Sequence, residues 1–198
     1  ESEYQATMNT TINRFIKYFQ QIISKRPLLF TIVGVVILSF ISYSKTFEFN
    51  FYRDDWGLLW RLNYALPEYL SMLPKFRHPG EILSTYPWFY ILGSSIFAWA
   101  LYGLILKITV SLFVGLAVYG LTDKKEAFVL GSLLYASYFG GLEAYSWIST
   151  RFVAFMIITI CCTLYFYVKN YKQYNKGYYI SLILLALLVL IEPARGIL

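Results

Sequence analysis

Two adjacent carboxylates, Asp54 and Asp55, stand in the stretch FYRDDWGLLWRL, residues 51–62. They follow closely on a long apolar run, in a chain where only 14% of residues are charged. A carboxylate beside a substrate hydroxyl can take its proton as that oxygen attacks. Paired carboxylates can instead bind a metal ion that neutralises a leaving phosphate. The plainer role is local: acidic side chains at a helix start satisfy free N–H groups and meet the positive end of the helix dipole.

A second constellation is FGGLEAYSWISTR, residues 139–151, in which Glu143 is followed by Tyr145, Trp147 and Arg151. A guanidinium gives paired hydrogen bonds to phosphate oxygens, and Gly140-Gly141 lets backbone approach closely. Glu143 alone would pass for a surface carboxylate in a loop. RHPGEIL, residues 77–83, adds Arg77, the sole histidine His78, and Glu81. A zinc site there would need further ligands, and no conventional spacing offers them. Lys107 falls near the middle of an apolar run. Ionisable groups are costly there and usually face a cavity or a partner, unless they snorkel to the interface. The only cysteines, Cys161 and Cys162, are adjacent, which is neither a disulfide framework nor a zinc spacing; they read as packing residues.

The elements that must position these groups are membrane helices. The chain has 198 residues, 58% of them hydrophobic and 20% aromatic, whereas soluble domains carry about 25% charged residues. A span needs roughly 20 mostly apolar residues. Five segments qualify, at about 27–44, 96–120, 127–141, 152–168 and 178–191. The third is short and broken by Gly140-Gly141. Ahead of them, TINRFIKYFQQIISKR has apolar residues at 12, 15, 16, 19, 22 and 23, so residues 1–26 read as an interfacial amphipathic helix.

The apolar stretch 86–121 is nearly twice one span, and it divides near Gly93-Ser94-Ser95 into a short interfacial helix and the second span. TDKKE, 122–126, is a tight turn with Thr122 or Asp123 as N-cap. Residues 45–85 are too long for a passive connector. If 54–68 is one helix, Asp54, Gly57, Arg61 and Glu68 share a polar stripe, and Trp56, Leu59, Trp60, Leu62 and Leu66 cover the rest. The fold class is therefore all-α integral membrane, with about five transmembrane helices and juxtamembrane helices on one side. The chain reads as the N-terminal part of a larger polytopic protein.

Basic residues favour the cytoplasmic side. The N-terminal segment, the 122–126 turn and the 169–177 loop hold nine bases against Glu1, Glu3, Asp123 and Glu126. The opposite side holds seven bases and seven acids, and Lys107 completes the net charge of +6. This puts the N-terminus in the cytoplasm. Residues 45–85 and 141–151 then lie on the trans face, extracytoplasmic or lumenal. The positive charge is an orientation signal and not a nucleic-acid footprint.

In this order the pieces resemble the polytopic glycosyltransferases of the C-type fold (GT-C). The nearest likeness is to protein O-mannosyltransferases, including the transmembrane-and-tetratricopeptide type, and to bacterial relatives. The residues that carry it are Asp54-Asp55 after the first span, RHPGEIL at a second juxtamembrane helix, FGGLEAYSWISTR after the third span, and IEPARG, residues 191–196. The chain departs from that pattern with Phe139-Gly140-Gly141 before Glu143, and with Gly103 and Lys107 in span two. The resemblance covers residues 27–198.

It implies an enzyme of the cell envelope or lumen that moves a sugar, mannose by that likeness, from a polyprenyl-phosphate carrier to a hydroxyl on a protein or glycan. Inversion at the anomeric carbon is implied as well. Asp54 would take the acceptor's proton, with Asp55 and Glu143 orienting groups or holding a divalent metal. Arg151 would meet the phosphate, with Lys107, Arg61, Arg77, His78 and Trp147 as further substrate contacts. No cofactor follows from the motifs beyond that open metal. The rival expectation is a polytopic transporter or another protein that handles lipid carriers.

Overall fold

The computed structural model describes residues 25–48, 50–51, 53–71, 79–173 and 175–191. The N-terminal amphipathic segment up to residue 24, the pair Arg77 and His78, and the IEPARG turn beyond Ile191 lie outside the described residues. Within them the secondary structure is helical throughout, without strands.

α1, Pro27–Tyr43, opens with a proline in its first turn, where the missing N–H has no partner to lose. It tightens into a 3₁₀ turn at Ser44–Glu48. α2, Arg53–Tyr64, carries both aspartates in its first turn. The single helix expected over 54–68 is two. Pro67 cannot donate to the carbonyl of residue 63, and its ring clashes there, so the chain breaks at Ala65 and restarts as α3, Leu66–Ser71. Glu68 thus leaves the stripe formed by Asp54, Gly57 and Arg61. The buried face of α2 is instead Asp55, Leu58, Leu59 and Leu62, with Trp56 and Trp60 outward. α4, Pro79–Leu92, begins earlier than expected and carries Pro87 within it.

The break at residues 93–95 falls where expected. Ser95 caps α5, Ile96–Thr122, by accepting from the Ala98 N–H at 3.3 Å. At the other end the expected N-cap at 122–123 is not formed. Asp123 adopts a left-handed conformation, φ 59°, and closes α5 by donating its N–H to Tyr119 O; aspartate tolerates that region better than most residues. Lys124 takes the N-cap position of α6, Lys125–Ser137. At 1.5 Å per residue α6 is about 20 Å long, shorter than the expected 127–141 segment, because Tyr138 turns extended. α7, Glu143–Ser146, is a single turn. α8, Phe152–Asn170, and α9, Lys176–Ile191, complete the chain.

Among the described residues three helices are long and apolar enough to cross a membrane: Pro27–Glu48 (α1 with its 3₁₀ turn), α5 and α8. The outward face of α1 is apolar, with Leu28, Ile32, Val36 and Ile37 exposed, which is compatible with lipid surroundings. α5 packs against α1, α6, α7 and α8, while α9 lies on α8. A buried hydrogen bond from Ser42 Oγ to Ala136 O, 2.9 Å, joins α1 to α6. Cys161 is buried and neither cysteine is bridged, as packing residues should be. The main apolar core gathers Tyr43, Leu62, Ile82, Trp99, Tyr145 and Ile148, and so supports the 138–151 loop from several helices.

Candidate functional site

The loop from Tyr138 to Arg151 is built by local chemistry. Gly141 has φ +72°, a conformation costly for any residue with a Cβ, and reverses the chain into α7. The carbonyl of Glu143 then accepts from the Trp147 N–H at 3.1 Å and from Thr150 Oγ1 at 2.5 Å. That closes a second turn, which delivers Arg151 to the N-terminus of α8.

Arg151 is 1% exposed. Its Nη2 donates to Trp99 O at 2.7 Å and its Nε to Tyr145 O at 3.2 Å. Its guanidinium carbon lies 5.0 Å from the Trp99 ring centre and 5.1 Å from that of Tyr102, within cation–π range. Burial pulls its pKa down to about 10, against the opposing influence of Tyr43, Tyr102 and Asp55. The charge is therefore retained at neutral pH. Nη1 is buried and has no hydrogen-bond partner among the described residues. An orphaned buried donor costs about 1–3 kcal/mol, more when charged.

Tyr145 O is a second junction, since Tyr43 Oη also donates to it at 3.1 Å. Both groups crowd against α5 at Gly103, where a Cβ would come within 2.2 Å of Tyr145 O and of Tyr43 Oη. Gly103 is the opening through which the loop reaches the helix. The Tyr145 hydroxyl shares a 2.7 Å hydrogen bond with Tyr135 Oη. Burial first, then that bond, raise the Tyr145 pKa, so this phenol stays protonated.

Two further residues hold the loop. Asp55, 1% exposed, accepts from the Ser149 N–H at 3.0 Å. Lys107, also 1% exposed, donates to Tyr138 O at 2.9 Å and lies 5.6 Å from the Tyr145 ring centre. The intramembrane lysine that sequence marked as a substrate contact is thus committed to the loop's backbone.

Beside this framework lies a cavity of about 520 Å³, lined among others by Lys45, Asn50, Trp99, Glu143, Trp147 and Arg151. Three of the residues singled out from sequence, Glu143, Trp147 and Arg151, are therefore brought together. Asp55 stands behind them through Ser149. Asp54 and Arg61 are exposed on α2 and are not in the cavity lining. Among the described residues no three carboxylate, histidine or cysteine side chains gather as a metal-binding group. Asp54, Asp55 and Glu143 are thus not assembled as a ligand set.

Sequence reasoning missed Trp99 and Asn50 as lining residues. Trp99 lies one turn beyond the Ser95 cap, and its indole N–H donates to Gly93 O at 2.8 Å. A tryptophan so close to a helix start was a legible interface signal, whereas Asn50 offered none. No family model, curated protein or solved structure matches the chain.

Proposed function

We propose that the chain is part of a membrane glycosyltransferase of the C-type fold, which moves a sugar from a polyprenyl-phosphate carrier to a hydroxyl acceptor on the trans face. In this reading α6 and α9 join the three long helices to make five spans, with the N-terminus cytoplasmic. The observation that carries it is the cavity bounded by Glu143, Trp147 and Arg151, with a buried cation whose Nη1 has no acceptor among the described residues. An anionic phosphate oxygen would supply that acceptor. Because Arg151 is almost fully covered, the oxygen reaches it as the more exposed Glu143 and Trp147 side chains give way. Trp147, partly exposed in the cavity lining, offers an apolar face of the kind that sugar rings stack on.

The chemistry is the one that the C-type likeness implies. The likeness makes Asp54, exposed at the start of α2 and outside the cavity lining, the base that takes the proton of the acceptor hydroxyl. The acceptor oxygen attacks the anomeric carbon as the bond from that carbon to the phosphate oxygen breaks. The configuration inverts, and polyprenyl phosphate leaves with its charge facing Arg151. Glu143 orients the sugar from the cavity wall. Asp55 is a positioning residue, since its carboxylate is occupied by the loop that carries Arg151.

The test is label transfer. Membranes holding the full-length protein are supplied with radiolabelled polyprenyl-phosphate sugars, and transfer to protein or glycan is followed. Transfer from one donor is the expected result. A correctly inserted protein that transfers from none would move the reading to a transporter, for which Lys107, buried within α5, is a suggestive feature.

A further inference from the structure

Three helix ends meet around a groove of about 230 Å³. Its walls are Pro27 and Leu28 at the start of α1, Leu116 and Tyr119 near the end of α5, and Lys125 and Phe128 at the start of α6. The cavity described above is lined from the other ends of α1 and α5. Groove and cavity therefore sit at opposite ends of two helices long enough to span. Basic residues crowd the groove end. Lys125 is in the wall itself, Lys124 precedes it, and Lys25 and Arg26 precede Pro27; all four are exposed. Lys169, in the last turn of α8, lies 5.0 Å from the ring centre of the groove's Tyr119 and is paired with Asp123. Against these five cations stand two acids, Asp123 and Glu126. Among the described residues no carboxylate forms an ion pair with Lys25, Arg26, Lys124 or Lys125.

We propose that this groove binds an anionic phospholipid, with its phosphate toward Arg26 and Lys125 and one acyl chain along Leu28, Leu116 and Phe128. The fixed charge selects this occupant. A zwitterionic lipid would bring its own cation to a mouth already in excess of positive charge, whereas a net anion relieves that excess. Basic pockets between membrane helices take anionic headgroups for this reason. The chain's own apolar residues at 12–23 are the rival occupant, but that segment carries Arg14 and Lys17 and no acid. Docked here, it would add two cations to the same mouth. Apolar contact with Leu28, Leu116 and Phe128 supplies affinity in proportion to the area covered, and the basic rim fixes which end of the lipid faces water. On the orientation proposed above, the groove opens in the cytoplasmic leaflet, where anionic lipids concentrate. The site is independent of the sugar-transfer reading and stands whether or not that reading does.

The experiment uses the full-length protein in phosphatidylcholine nanodiscs that hold a small fraction of phosphatidylglycerol with a diazirine near the head of one acyl chain. After photolysis and digestion, adducts are expected within 27–28, 116–119 or 125–128. Phosphatidylcholine carrying the same label at the same fraction should give roughly tenfold fewer there. Arg26→Gln and Lys125→Gln remove exposed charges and leave the packed core untouched. Each should lower the phosphatidylglycerol adducts roughly fivefold, the worth of one basic group at an anionic surface, while Lys172→Gln, exposed beyond the groove, should not. Equal labelling by the two lipids, or undiminished labelling in both Arg26→Gln and Lys125→Gln, would overturn the anionic site. A photoreactive p-benzoylphenylalanine in place of Phe128 reads the occupant directly. Cross-links to lipid are expected, and cross-links to residues 1–24 would overturn the proposal by showing that the chain fills its own groove.

Discussion

Asp55 Oδ1 accepts a hydrogen bond from the Ser149 backbone N–H at 3.0 Å, across 94 positions of sequence. The bond joins the acidic pair after the first long helix to the loop that carries Glu143, Trp147 and Arg151. It also divides the labour between two adjacent aspartates that look equivalent in sequence: Asp55 is buried in the framework, and Asp54 is exposed. Replacing Asp55 by Ala should leave the Ser149 N–H buried without its acceptor, at a cost of about 1–3 kcal/mol. Asp55→Asn keeps an oxygen at that place and should lose less. Thermal unfolding of the purified variants in detergent measures both, and equal stability of Asp55→Ala and parent would remove Asp55 from the framework.

Gly103 and Gly57 make a matched pair of tests. A Cβ at Gly103 would sit 2.2 Å from the Tyr145 carbonyl, whereas one at Gly57 would meet nothing within 4 Å. Gly103→Ala should destabilise by about 3 kcal/mol, the upper end for overpacking, and should displace the loop. Gly57→Ala, on the exposed side of α2, should be neutral or stabilise by up to about 1 kcal/mol through helix propensity. A Gly103→Ala protein with parental melting would mean that the loop does not approach α5 so closely.

The two buried cations should behave differently. Lys cannot reproduce the fixed fork of Arg, so Arg151→Lys should weaken binding of polyprenyl phosphate by roughly tenfold or more, the value of one charge-assisted hydrogen bond. Lys107→Met removes a cation engaged with Tyr138 O; it should lower the melting temperature as the loop loses that support, and cost carrier affinity less than Arg151→Lys does. Binding titrations in nanodiscs separate the cases. A selective loss in Lys107→Met would restore Lys107 as a substrate contact.

Long apolar periods made the helices legible. Pro27 marks the start of α1, Gly93-Ser94-Ser95 the break before α5, and the charged 122–126 turn the junction with α6. Each of these residues constrains its own backbone, so the signal is local. The tertiary choices were not legible. The expected 54–68 stripe failed at one residue pair, since Pro67 ended α2 early. Which of two neighbouring aspartates faces inward depends on where α2 lies against its surroundings, a relation that no window of sequence contains. The motif FGGLEAYSWISTR showed Glu143, Trp147 and Arg151 because they share one loop. It did not show that Tyr43, Trp99, Gly103 and Lys107 grip that loop, because those contacts span up to about a hundred residues and follow from packing.

The most direct test is the rate of sugar transfer from polyprenyl-phosphate donor by Asp54→Asn beside the parent, in membranes with matched insertion. A general base typically contributes about 10²–10⁴-fold, so the substitution should abolish most turnover while leaving melting temperature and carrier binding as they were. Parental turnover in Asp54→Asn would contradict the assignment of Asp54 as the base, and Glu143 would then be the carboxylate left to test.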